Sequence, residues 1–188
     1  MPRRKKTHHL VAQHVSTGPP VITQAVMEVF EPLDDDSPCY ALVGLIAAET
    51  ARIEHYLDQS LCNLAEIQKH VGACFTGQIV GPGPRFNAML QLARERRLPK
   101  EIIDRIKNLD TKAHPIFDRR NRAVHDPWWR SKTSGKPHQF RGKPRKLDQF
   151  GLMPKTENEL RDDLTEIRKY AVAVRRLVSD IWTALRQS

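Results

Sequence analysis

The chain has 188 residues, of which 39% are hydrophobic and 28% charged, and a formal net charge of +9; that length suffices for one domain with a buried core. The longest apolar run, Tyr40 to Ala48, is about half the ~18 residues that suggest a membrane-spanning helix, and no apolar stretch follows the charges of MPRRKKTHH as a secretory signal requires. Three cysteines (Cys39, Cys62, Cys74) without paired spacing argue against a disulfide scaffold or a zinc finger and point to a reducing, cytoplasmic compartment.

Residues 1–20 show no apolar period, carry Arg3, Arg4, Lys5 and Lys6, and end in Gly18-Pro19-Pro20. They read as a disordered basic tail, ahead of a domain spanning 21–188. Val21 to Phe30 suits a short helix, interrupted by Pro32 and Asp34 to Asp36. The first strong helix starts at Ser37-Pro38, because Ser caps well and Pro tolerates the next position, where no N–H is needed. Leu42, Ile46, Ile53, Leu57 and Leu61 recur at helical spacing behind it. A second helix is expected over Leu64 to Cys74.

Gly72 to Pro84 is a glycine- and proline-rich break, and it lacks the Gly-Lys-Ser/Thr of a phosphate loop. Pro84 and Pro99 read as first-turn residues of helices over about 84–97 and 99–126. Thr156 and Glu159 form a capping box for the last helix. Leu160, Leu164, Ile167, Ala171, Val174, Val178, Ile181 and Leu185 then alternate spacings of four and three, a seam suited to packing along another helix. Trp182 falls beside that seam and is assigned to the core. The expected architecture is an all-α helical bundle with a long, basic, non-helical insertion over 127–155 before the last helix, with room for a hairpin within it. Loops of that length are usually functional or disordered.

Charge is concentrated in two places. Residues 1–9 carry four basic side chains and residues 130–146 carry seven, both without an acid, which leaves −2 for the rest. The seven are Arg130, Lys132, Lys136, Arg141, Lys143, Arg145 and Lys146. With Phe140, and with Trp128 and Trp129 just before, they form a candidate RNA-binding segment: cations neutralise phosphates, and aromatics stack on unpaired bases. The alternative is a solvated loop. The two tryptophans either cover the bundle end or stack on a base.

The helix after Pro99 has an apolar stripe at Ile102, Ile106, Leu109, Ala113 and Ile116. The next position on that stripe is Arg120, a charge on a face that should be buried, where it needs a carboxylate, a phosphate or an open cleft. Asn121 and His125 are four apart and share one helix face. Pro127 ends the helix just beyond them. One short segment thus gathers a permanent cation, an amide and an imidazole, a side chain that titrates near neutrality. Asp118 with Arg122 is an ordinary helical ion pair, and Arg119 is a candidate for simple solvation. His70 and Cys74 have metal-ligand spacing but no second pair, so no metal site is assigned.

The segment Arg120-Asn121-Arg122-Ala123-Val124-His125 resembles the signature of the HEPN superfamily (higher eukaryotes and prokaryotes nucleotide-binding domains). That signature is an Arg, a polar residue often Asn, and a His after four to six intervening positions; here there are four. The resemblance covers roughly Ser37 to Gln187. It implies an all-α bundle and a metal-independent endoribonuclease without cofactor, of the kind used as a toxin or phage-defence effector. It also implies a homodimer whose composite cleft joins two motifs, with RNA as substrate and, in many relatives, an antitoxin or other regulatory partner. Arg120, Asn121 and His125 would be the catalytic residues, and the products a 2′,3′-cyclic phosphate and a 5′-hydroxyl. An acidic residue on an early helix often pairs with the motif Arg, and Glu49 and Glu54 are the candidates. Asp126 stands where a small residue is frequent, and its charge is expected either to repel phosphate or to favour the protonated form of His125. Two other readings compete. One is a non-catalytic helical module that binds a nucleotide or protein and dimerises through the same helices. The other is a nucleic-acid binder acting through its basic segments alone.

Overall fold

The computed structural model describes residues 29–142 and 151–187. The basic tail, nearly all of the Val21–Phe30 segment, and Lys143, Arg145 and Lys146 lie outside the described residues. Five helices are present among those described: α1 (Pro38–Ala65), α2 (Lys69–Thr76), α3 (Pro82–Glu95), α4 (Lys100–His125) and α5 (Glu157–Leu185). Four short strands accompany them: β1 (Phe30–Pro32), β2 (Trp128–Ser131), β3 (Pro137–Arg141) and β4 (Gly151–Pro154).

Local signals set the long helices. The Ser37 hydroxyl accepts from the Cys39 N–H at 3.4 Å, and Pro38 opens α1. The Thr156–Glu159 capping box is complete, with each side chain bonded to the other residue's backbone N–H. α1 and α5 form the most extensive helix pair, and their facing stripes bury Ile46, Ile53, Leu57, Leu160, Ile167, Val174 and Ile181. Full burial of one such side chain contributes about 1.5–3 kcal/mol, so this seam organises the core. α3 and α4 pack on each other and against α1. Arg85 of α3 is buried and donates to Asp58 of α1 at 2.8 Å and to the Gly81 carbonyl at 3.1 Å.

Three expectations need correction. α1 does not yield to a second helix at Leu64: it continues to Ala65, and Glu66 ends it in the left-handed region at φ 55° while its N–H bonds back to Asn63. The following helix is the shorter α2. Trp182 is not in the core. It is 43% exposed and lies under the Arg186 guanidinium, 4.5 Å from the ring centroid. It sits one residue beyond the buried Ile181, about 100° around the helix, which turns it away from α1.

The third correction concerns the class. The fold is mostly helical but not all-α, because β1 to β4 form an antiparallel sheet in the order β1-β2-β3-β4. Trp128 pairs with Gln139, Gln139 with Met153, and Phe30 with Ser131. Most of the described part of the expected insertion is therefore a meander, extended by a strand that precedes the bundle. Strands of three to five residues show too few alternations to register as a period of two. No described helix is long and apolar enough to cross a membrane.

Candidate active site

The stripe Ile102, Ile106, Leu109, Ala113 and Ile116 of α4 is buried, as its spacing requires. The helix runs through Pro115, which supplies no N–H for the Thr111 carbonyl. Beyond Ile116 the face opens. Arg120 is half-buried, and Asn121 and His125 are exposed.

These three residues meet. Arg120 Nη1 donates to Asn121 Oδ1 at 3.0 Å and lies 3.1 Å from His125 Nε2. A guanidinium only donates, so the second contact is a hydrogen bond only when Nε2 carries its lone pair. The geometry thus suits the basic form of the imidazole, with the ring proton on Nδ1. Among the described residues Arg120 has no carboxylate partner, whereas its neighbours do. Arg119 pairs with Asp163 at 3.3 Å, and Arg122 pairs with Asp118 at 3.1 Å and Asp126 at 3.7 Å. Neither early-helix acid reaches Arg120. Glu49 lies 3.1 Å from Arg52 and 3.3 Å from Arg168, and Glu54 lies 3.9 Å from Arg85.

The end of α4 is held by residues that the sequence does not single out for this role. The last carbonyls of a helix have no partner within it. Here the Trp128 indole N–H donates to the Ala123 carbonyl at 3.0 Å, and the Gln139 amide donates to the Arg122 carbonyl at 2.8 Å. Both side chains are buried. The sheet therefore clamps the turn that carries Asn121 and His125, and of the two roles open to Trp128, packing is the one observed. Asp126, just past the helix, has Oδ2 buried without a hydrogen-bond donor. Burial pushes its carboxyl above the usual range, against the attraction of Arg122 and Arg141. A cleft of about 260 Å³ opens beside Asn121, between α4 and the start of α3, where Pro82, His114, Phe117 and Asp118 also line it.

The candidate RNA-binding cations are dispersed. Arg130 of β2 is engaged by Glu31 and Asp34, which braces β2 against β1 and the turn after it. Lys132 and Lys136 are exposed around the β2–β3 turn, and Arg141 is half-buried at the end of β3. The remaining three lie outside the described residues. Cys74 and His70 meet only through the Cys74 thiol and the His70 carbonyl, at 3.7 Å. Among the described residues no three His, Cys, Asp or Glu side chains converge on one point. No family model matches the chain, and neither a curated protein nor a solved structure matches it.

Proposed function

We propose that this chain is a metal-independent endoribonuclease of the HEPN type, working as a homodimer. The observation that carries the reading is the Arg120 guanidinium, free of any carboxylate among the described residues and held 3.1 Å from the His125 Nε2 at an accessible helix end. A phosphate is a stronger acceptor than an amide or an imidazole, because its hydrogen bonds are charge-assisted on both sides. Phosphate arriving at Arg120 would take over the guanidinium and release the Nε2 lone pair.

His125 then removes the proton from a ribose 2′-hydroxyl, and O2′ attacks the adjacent phosphorus. Arg120 stabilises the charge that grows on the non-bridging oxygens. Asn121 positions the guanidinium through the bond to its Oδ1. The P–O5′ bond breaks, and the second copy's His125, in its protonated imidazolium form, gives its proton to O5′. The products are a 2′,3′-cyclic phosphate and a 5′-hydroxyl. A toxin or phage-defence role, and a regulatory partner that restrains it, belong to this proposal through the resemblance alone.

The test is incubation of the purified protein with RNA in EDTA, followed by analysis of the new ends. Cyclic phosphate ends should appear with wild type, and neither with Arg120→Ala nor with RNA carrying 2′-deoxyribose at the cleaved position. Absence of cleavage on every RNA tried, with the dimer intact, would instead support a binding module.

A further inference from the structure

A second constellation lies on another side of α4. Arg119 and Arg122 of α4, Arg141 of β3 and Lys155, just before α5, line one cavity of about 200 Å³ with Asp163 of α5. Neither Arg120 nor His125 lines it. Four cations are thus drawn from three separate parts of the chain to one small space.

Their partners do not match them. Asp163 serves two of the four at once, Lys155 at 2.7 Å and Arg119 at 3.3 Å. Arg122 is served by Asp118 of the same helix and by Asp126 just past its end. Arg141 is attracted by Asp126 and Glu159 but makes no direct ion pair among the described residues, and its Nε–H is buried without an acceptor. A buried guanidinium N–H without an acceptor is costly, and fixed cations around a small cavity repel one another unless an anion enters. The planar forks of three arginines suit the oxygens of a phosphate.

From this we infer that the cavity between α4, β3 and the start of α5 is a phosphate-binding site, filled by the phosphate of a nucleotide or of an RNA strand. Arg141 and Arg119 are its principal ligands, Lys155 adds a point charge, and Asp163 orients Lys155 and Arg119 from the side. The site shares with the proposed nuclease only the chemical class of its ligand, and it does not require cleavage.

The experiment measures equilibrium binding of adenosine 5′-monophosphate, adenosine and a short fluorescent single-stranded RNA with a 5′-hydroxyl. The protein is the full chain carrying His125→Ala, so that RNA stays intact. The phosphate-bearing ligand should bind and adenosine should not. Arg141→Gln and Arg119→Gln should each weaken binding about tenfold, and Arg141→Lys by less. Loss of mononucleotide binding identifies a free nucleotide. Loss confined to RNA, with a salt dependence shallower by about 0.7 per lost contact, identifies a strand phosphate. Melting temperatures establish that the variants are folded, and Arg119→Gln carries the test should Arg141→Gln not fold. The inference is overturned if no phosphate-bearing ligand binds. It is equally overturned if the two arginine variants bind as Lys100→Gln does, since that variant lowers net charge and breaks only an exposed pair with Asp104 that does not line the cavity. Binding that persists in a protein unable to cut any RNA would leave this site standing and remove the nuclease.

Discussion

The side-chain amide of Gln139 donates to the backbone carbonyl of Arg122 at 2.8 Å, and Gln139 is only 2% exposed. One buried polar group of the sheet therefore fixes the last turn of the helix on which Asn121 and His125 stand. Gln139→Leu keeps the volume and loses the donor. It is expected to destabilise the fold by about 1–3 kcal/mol, the cost of an unsatisfied buried carbonyl. The Asp126 N–H, which also bonds to that carbonyl at 3.1 Å, makes the lower end of the range the expected one. Urea unfolding measures this. If the clamp positions the site, RNA cleavage by the folded variant should fall in kcat more than in KM.

His125 is exposed and Arg120 half-buried, so function and stability should separate at this pair. His125→Ala should lower the cleavage rate by about 10²–10⁴ while leaving the unfolding free energy within about 0.5 kcal/mol of wild type. Arg120→Lys keeps the charge but loses the planar fork, and it should remain well below wild type in rate. Full activity in either variant, measured on the same RNA, removes the assignment.

Gly72 marks a close approach that tolerates no side chain. A Cβ there would lie 2.2 Å from the Cys62 sulfur, which is itself buried. Gly72→Ala should therefore overpack the α1–α2 contact and cost about 1–3 kcal/mol. Cys62→Ala removes the obstructing sulfur, so the double variant should recover part of that loss. A double-mutant cycle in urea reads the coupling, and simple additivity would count against the contact.

Two carboxyls should respond to acid in opposite directions. The Thr156 backbone N–H donates to Glu159, whose carboxyl is held below its ordinary value of 4.5. That stabilisation is present above the unfolded value and is lost as the pH falls through the folded one. Asp126 is the reverse case, pushed above 3.8 by burial. Its native form binds a proton more tightly than the unfolded chain does, so stability falls as the pH rises from the unfolded value through the folded one. Glu159→Gln should be less stable than wild type at neutral pH, with the difference shrinking in acid. Asp126→Asn should be at least as stable as wild type at neutral pH and should lack that decline. Urea midpoints between about pH 3 and pH 7 decide both.

The long helices could be read from the residues alone, because their causes are local. The Ser37-Pro38 start, the Thr156–Glu159 box and the stripes of α1, α4 and α5 each act within a few turns of one helix. So does the Arg120, Asn121 and His125 set, since one helix carries all three within reach of each other. Other features depend on residues far apart in the chain, and only the folded molecule reveals them. Phe30 pairs with Ser131 across about a hundred residues, in strands too short to announce themselves. Gln139 and Trp128 become helix clamps only because the sheet returns them to the end of α4. Arg119, Arg122, Arg141 and Lys155 share a cavity for the same reason. A helix is selected by contacts between near neighbours, whereas a sheet and a pocket are selected by which distant segments can bury their surfaces together, and that choice belongs to the tertiary structure.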